Sequence, residues 1–266
     1  MKTTDALLAA VAAAVAALGF LMIESHGALP DPAVAAQRIA AMALTVFFIA
    51  AWRPASSPLV ATFIVAFAIM VVNIHVELAF FMQAEPQQRA LMAAHATAHC
   101  VVAVLIARMA SPRSEPTAQL LASWHARGAL NWTARILTAA FVYVVLYVVV
   151  GAAAYTYTKP YYEEMAGLAL HTPAIETVFA AQAMRGVVYA LAALVFAVTT
   201  PRPRSTLIAM GLFAGLGGIA PLVGNTAWPL ELRVAHAIEI LFQNAPFAAV
   251  ALAILKTRAV KPSPAV

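Results

Sequence analysis

The sequence predicts an all-α polytopic membrane protein of about eight transmembrane helices, built as two parallel four-helix repeats. First, the 266 residues are 64% hydrophobic and only 10% charged, with a mean hydropathy of +0.87. Soluble domains carry about 25% charged residues, so lipid must surround most of this apolar surface. Second, apolar stretches of about 20 residues, the length that spans a bilayer, recur along the chain. Third, the order of features in the first half recurs in the second.

The predicted spans follow one another with mostly short connections. They are residues 5–23, 33–52, 58–81, 88–109, 132–157, 174–200, 205–223 and 229–255. The first span resembles a secretory signal peptide, because Lys2 precedes an alanine-rich run. Signal peptides have apolar cores of about 7–15 residues. This run continues to Ile23, so we expect an uncleaved first span.

Lysine and arginine residues predict the orientation of the chain, because cytoplasmic loops carry an excess of them. If the spans alternate, one side holds Lys2, Arg53, Arg108, Arg113, Arg127, Arg135, Arg202, Arg204, Lys256, Arg258 and Lys261. The other side holds Arg89, Lys159 and Arg233. We therefore expect both termini in the cytoplasm of a cell with a bacterial-type inner membrane. No nucleic-acid partner is predicted, because the basic residues form no compact domain.

The predicted halves are residues 1–109 and 132–266, joined by a cytoplasmic linker at 110–131. Within the linker, Leu121 and Trp124 lie on one helical face, which is typical of a short interfacial helix. Each half holds four spans, so both halves enter the membrane from the same side. Such repeats are parallel, and they are related by an axis along the membrane normal.

Polar residues recur at corresponding places in the two halves. The second span of the first half carries Gln37 and Arg38, and the second span of the second half carries Gln182 and Arg185. Binding sites in repeat-built membrane proteins often lie between the repeats. The pattern therefore favours a site at the interface of the two halves.

Span seven departs from the pattern of the other spans because it is rich in glycine. Gly211 and Gly215 give a GxxxG spacing, which is typical of close helix packing in membranes. The alternative is a helix that breaks near Pro221 and exposes backbone groups to a cavity. The sequence favours packing and leaves the broken helix open.

Ionisable side chains inside spans are costly, and they usually face the interior of the bundle. The candidate substrate-binding or proton-relay residues are Arg185, Glu239, His236, His95, His99, Arg38, Gln182 and His75. At a rise of about 1.5 Å per residue, Arg185 and Glu239 lie at about the same depth, near the midplane. An arginine there stays charged and needs a partner, so we expect an Arg185–Glu239 ion pair. Because the candidates lie in the outer half and centre of the spans, we also expect a cavity open to the periplasmic side.

Histidine spacing raises the question of a metal or haem. His95 and His99 are four residues apart on span four, and His236 and Glu239 are three apart on span eight. No Cys/His ligand framework accompanies them, so neither a metal nor a cofactor is predicted. The alternative is a b-type haem held by His95 and His236, which occupy corresponding positions in the two halves.

The leading functional hypothesis is a secondary transporter or permease-like protein for a small solute, an anionic one included. Its partners would be the lipid bilayer and that solute. Arg185 would bind an acidic group, while His236 and Glu239 would couple transport to protons. Two alternatives stay open: an intramembrane enzyme or haem electron-transfer protein, and a noncatalytic scaffold whose polar residues join helices. The sequence does not predict an oligomeric state.

Overall fold

The computed structural model describes residues 3–24, 27, 30–52, 59–81, 85–109, 128–163, 172–200 and 205–255. Over these residues the protein is 92% helical and contains no strand, which confirms the predicted all-α class. The helices are α1 Thr3–Glu24, α2 Pro32–Trp52, α3 Leu59–Phe80, α4 Pro86–Met109, α5 Ala129–Glu163, α6 Ile175–Thr199, α7 Ser205–Gly224 and α8 Leu230–Ile254. Most of the predicted linker lies outside the described residues.

The helices α2 to α8 are each long and apolar enough to cross a membrane. The first helix, α1, adds a shorter apolar stretch, Leu8–Glu24. The protein is therefore a multi-pass membrane protein with seven to eight spanning helices. The predicted boundaries are close to the helix ends except at α5, which continues through Pro160 to Glu163. The fifth span was predicted to end at residue 157, so residues 158–163 were expected in a loop. That expectation is wrong, because α5 accommodates Pro160 and continues to Glu163.

Successive helices run in opposite directions through the bundle. At one end, which we call the site end, α1, α3, α5 and α7 finish and α2, α4, α6 and α8 begin. Contacts there include Glu24 with Arg38 and Tyr162 with His236. At the opposite end the Trp52 indole N–H donates to the Thr200 hydroxyl over 2.7 Å. The alternation used to assign the charges therefore holds, while the direction of the bundle in the membrane stays a prediction.

Two helix pairs provide most of the contact between the two halves. Helix α2 packs on α7, and α3 packs on α6. The Tyr189 hydroxyl of α6 donates to the Ile69 carbonyl of α3 over 3.2 Å inside the second contact. In the predicted repeat α2 corresponds to α6 and α3 corresponds to α7. Replacing each helix by its counterpart therefore turns the α2–α7 pair into the α6–α3 pair. The parallel repeat predicts this pairing, and the repeat itself stays a prediction.

Helix α7 is continuous but contains a π-helical turn at Gly215–Ile219, between α-helices Ser205–Ala214 and Ala220–Gly224. The expected alternative of a break near Pro221 is wrong. Proline has no N–H, so the α-helical donor to the Gly217 carbonyl is missing. The Asn73 side-chain amide of α3 donates to that carbonyl over 3.1 Å. A neighbouring helix thus satisfies the backbone that Pro221 leaves free.

Glycine also allows α7 to pack closely on its neighbours, as the sequence favoured. A Cβ at Gly215 would collide with the Phe48 ring of α2, and one at Gly218 would collide with Ile240 of α8. On the same turn, the Asn244 side-chain amide of α8 donates to the Phe213 carbonyl over 3.2 Å. The π-helical turn is therefore held from three sides, by α2, α3 and α8.

Candidate functional site

The candidate residues fall into two clusters at the site end of the bundle. The central cluster comprises Glu77, Tyr143, Tyr147, Tyr162, Gln182, Arg185, His236, Glu239 and Gln243. The peripheral cluster comprises Glu24, Arg38, His95 and His99. The central cluster is built from both halves of the chain, whereas the peripheral cluster belongs to the first half alone.

Arg185 forms its ion pair with Glu77 of α3. The guanidinium donates to the Glu77 carboxylate over 2.6 Å and to the Gln182 side-chain oxygen over 3.2 Å. Arg185 is 5% exposed, while the Glu77 side chain is 37% exposed. The predicted Arg185–Glu239 pair is therefore wrong.

The direction of the side chains explains the partner that forms. In an α-helix the Cα–Cβ bond tilts toward the N-terminus. Helix α6 begins at the site end, so the long Arg185 side chain reaches back toward that end. Glu77 lies three residues before the end of α3 there, and its Cβ tilts inward. The two side chains therefore meet although their Cα atoms differ in depth, because α3 packs directly on α6.

Glu239 instead bonds to His236, and Tyr162 extends this pair toward the end of α5. His236 Nδ1 and a Glu239 carboxylate oxygen are 2.8 Å apart, and His236 Nε2 and the Tyr162 hydroxyl are 3.3 Å apart. The His236 and Glu239 side chains are 15% and 11% exposed. Gly151 of α5 lies beside the carboxylate, and a Cβ there would stand in van der Waals contact with it, at 3.4 Å. The result is a tyrosine–histidine–carboxylate chain running into the bundle.

The formal charges of the central cluster do not cancel when His236 is neutral. Glu77 and Glu239 contribute −2 and Arg185 contributes +1, which leaves −1 among the described residues. A proton on His236 brings the sum to zero. A buried carboxylate without a balancing charge is costly in free energy. One further positive charge, from a proton or another cation, would balance the central cluster.

Three buried nitrogen atoms of the central cluster have no hydrogen-bond acceptor among the residues that the structure describes. They are Arg185 Nε, Gln182 Nε2 and Gln243 Nε2. Buried polar groups are hydrogen-bonded in most proteins, so each such atom requires an explanation. Because all three are donors, they suit a ligand or water molecule that offers acceptor oxygens.

The peripheral cluster centres on Glu24 at the end of α1. Its carboxylate lies 3.3 Å from the Arg38 guanidinium and 3.0 Å from His95 Nδ1. These three side chains are between 28% and 36% exposed. The His99 ring stacks on Phe20, and its Nε2 lies 3.4 Å from the Thr45 hydroxyl. Glu24 and Arg38 cancel each other's charge, so the peripheral cluster is neutral without a proton on His95.

Two expectations from the sequence differ from the structure: that His75 belongs to the site, and that His95 and His236 could hold a haem between them. His75 is exposed on α3 and bonds through Nδ1 to its own helix, at the Val71 carbonyl 2.7 Å away, so it joins neither cluster. His95 and His236 lie in different clusters. Both ring nitrogens of His236 are already engaged, by Tyr162 and Glu239. This arrangement does not suit a haem held between the two histidines.

Sequence reasoning did not select Glu77, although a signal for it existed. Asn73 and Glu77 are four residues apart, so they share one face of an otherwise apolar helix. The structure turns that face toward α6 and α7, where Asn73 bonds Gly217 and Glu77 bonds Arg185. Glu24 was missed because it was placed at the boundary of a span and not inside one.

Comparisons with protein-family models, with curated proteins and with solved structures found no match to this chain. The function is therefore argued from the site itself.

Proposed function

We propose that this multi-pass membrane protein is a proton-coupled secondary transporter and that its central cluster is the coupling site. The observation that carries the proposal is the unbalanced charge of −1 in the central cluster, which one proton on the His236–Glu239 pair cancels. A carrier that binds and releases a proton needs a group whose two protonation states are both accessible. Histidine is the side chain most often used for such a group, because it binds and releases a proton without leaving the physiological range in model compounds.

The location of the central cluster supports the same proposal. Glu239 lies nine residues after the first residue of α8, about 14 Å along the helix, in the middle third of a spanning segment. Helices from both halves supply its charges, α3 from the first and α6 and α8 from the second. Secondary transporters place substrate and ion sites near the midplane between such halves.

The unpartnered donors indicate the class of solute. A solute with carboxylate or carbonyl oxygens would accept hydrogen bonds from Gln182 Nε2 and Gln243 Nε2. A carboxylate solute would also compete with Glu77 for Arg185, because both offer the same acceptor to one guanidinium. Displacement is feasible because the Glu77 side chain is partly exposed. Without Glu77, Arg185, a protonated His236 and Glu239 sum to +1, which an anionic solute cancels. We therefore propose a small organic anion as the transported solute.

The test is a transport assay in proteoliposomes that contain a pH-sensitive dye. A panel of small mono- and dicarboxylates is added outside, and internal pH is followed. We expect at least one solute to drive proton movement in the wild-type protein and in Glu176→Gln, a control at an exposed carboxylate of α6. Glu239→Gln should keep the hydrogen bond to His236 and lose the proton movement. Equal proton movement in Glu239→Gln would contradict the proposal.

A purely structural role for the central cluster predicts a different result. If the protein is a scaffold, no solute of the panel should change the internal pH, either with the wild-type protein or with the variants. This alternative also predicts that Glu239→Gln lowers thermal stability without changing any flux. The same proteoliposomes therefore separate the two functions.

A further inference from the structure

Arg233, near the start of α8, is a cation without a carboxylate partner among the described residues. Its guanidinium donates to the Gln37 side-chain oxygen of α2 over 2.7 Å and lies 3.5 Å from the Val223 carbonyl of α7. Among the described residues, its buried Nε has no acceptor. An arginine carries five N–H donors and keeps its charge in proteins. Two neutral oxygens therefore leave its charge without an anion and its Nε without a hydrogen bond.

Arg38 follows Gln37 on α2 and approaches the same end of α7. Its Cδ would lie 3.7 Å from a Cβ placed on Gly224, the residue after Val223. Its Nε is likewise buried without an acceptor. Its carboxylate, Glu24, is shared with His95. Two incompletely satisfied arginines thus meet the last residues of α7 from α2 and from α8.

The charge balance around these arginines is opposite to that of the central cluster. Arg38 and Arg233 contribute +2 and Glu24 contributes −1, so the sum is +1 with neutral His95. A proton on His95 would raise the sum to +2. Planar guanidinium groups bind carboxylate and phosphate oxygens through paired hydrogen bonds. An anionic oxygen group is therefore the ligand that would satisfy both the charge and the free donors.

We propose that Arg38 and Arg233, with the Gln37 side chain that bonds Arg233, form a second binding site for an anionic carboxylate or phosphate group. The site lies at the junction of α2, α7 and α8, and so between the two halves of the chain. Arg233 is three residues and Arg38 six residues from the first residue of its helix, about 5 and 9 Å along the helices. This depth is reached both by a dissolved anion and by the phosphate of a lipid headgroup.

Binding to purified protein in a neutral detergent tests the site without any transport assay. Two probes distinguish the sources of the anion: inorganic phosphate against chloride at equal ionic strength, and short-chain phosphatidylglycerol against phosphatidylcholine. Thermal stability is measured as a function of probe concentration. We expect phosphate or phosphatidylglycerol to stabilise the wild type with a saturable midpoint. Arg233→Gln should weaken that binding about tenfold, as expected for losing a charged hydrogen bond.

Three further variants make the result specific. Arg38→Gln should weaken binding as Arg233→Gln does, and Arg233→Lys should give an intermediate loss because it keeps the charge without the planar fork. Arg108→Gln, at the opposite end of α4, should bind as the wild type does. If Arg233→Gln does not fold, Arg38→Gln and Arg233→Lys supply the same comparison.

Each outcome decides the proposal. Stabilisation by phosphatidylglycerol alone supports the site and assigns it to a lipid headgroup, whereas stabilisation by phosphate assigns it to a dissolved anion. The proposal is overturned if neither probe stabilises the wild type, or if Arg108→Gln loses binding as much as Arg233→Gln. Unchanged proton movement in Glu239→Gln would contradict the proposed function and leave this binding result untouched, so the two proposals fail independently.

Discussion

The central and peripheral clusters contain the same pair of groups in two electrostatic settings. His236 and Glu239 are 2.8 Å apart, and His95 and Glu24 are 3.0 Å apart. In the peripheral cluster Arg38 already balances the carboxylate, and the side chains are about one-third exposed. In the central cluster Arg185 is committed to Glu77, which leaves Glu239 without a cation other than a protonated His236.

This difference shows that a histidine–carboxylate contact alone does not identify a proton site. What matters is whether the surrounding charges cancel without the proton. A partly exposed pair that is already balanced gains little from protonation, since water screens its charges. A buried pair next to a second carboxylate gains much more. We therefore assign proton binding to the central cluster and the holding of α1 against α2 and α4 to the peripheral one.

The largest expected effect comes from breaking the Arg185–Glu77 pair. Arg185→Met leaves the partly exposed Glu77 and the largely buried Glu239 without a cation, so the thermal stability in detergent should fall strongly. Breaking a buried pair costs about 3–5 kcal/mol in soluble proteins. We expect about 2 kcal/mol or more here, because Glu77 is partly exposed and membrane proteins find substitute partners. Arg38→Met in the peripheral cluster should cost clearly less.

A double-mutant cycle identifies the partner of Arg185. Arg185→Met combined with Glu77→Leu should recover much of the loss, whereas Arg185→Met combined with Glu239→Leu should recover little. If the combination with Glu239→Leu recovered more, Glu239 would be the dominant partner and our assignment of Glu77 would be wrong.

A second, smaller loss is expected from Gly186→Ala, which changes the spacing of α5 and α6 beside Arg185. A Cβ at Gly186 would stand 2.7 Å from the Ala140 carbonyl oxygen, and backbone cannot move aside as a side chain can. Overpacking of this kind costs about 1–3 kcal/mol. Gly19→Ala is the matched control, because nothing lies within 4 Å of its Cβ position. Thermal unfolding of both variants checks the prediction, and equal midpoints would contradict the close approach.

The smallest effect concerns the hydroxyl group at the end of the central hydrogen-bond chain. Tyr162→Phe removes the contact to His236 but keeps the ring, so stability should change by about 1 kcal/mol or less. Proton movement in proteoliposomes should slow while the solute preference is kept. Tyr155 lies in the same helix as Tyr162, and its hydroxyl contacts Thr172 instead of His236. Tyr155→Phe should therefore leave the rate unchanged. A similar slowing in both variants would argue against a special role for Tyr162.

The sequence was sufficient to predict the spans because apolar length is a local property of the chain. The ends of α2 and α4, for example, lie within two residues of their predicted positions. The partner of Arg185 was not predictable from depth alone, because depth omits both the helix neighbours and the direction of side chains. Once α3 is known to pack on α6, the opposite tilts of Arg185 and Glu77 lead to the observed pair.

Helix α7 shows a second limit of the same kind. Pro221 and the glycines before it indicated an irregular helix, but the choice between packing and breaking depended on another span. The Asn73 amide of α3 bonds the Gly217 carbonyl that Pro221 leaves without a donor, and so keeps the helix continuous. Such a contact between distant segments is invisible in the local sequence of α7.

The most direct test of the account is to find which cluster takes up the proton. Infrared difference spectra of the purified protein, recorded between acidic and alkaline pH, report the carboxyl and histidine-ring bands that change. We expect Glu239→Gln to remove the main pH-dependent carboxyl and histidine-ring bands, and Glu24→Gln to leave those bands in place. A spectrum that Glu239→Gln leaves unchanged, or that Glu24→Gln abolishes, would contradict the assignment of proton binding to the central cluster.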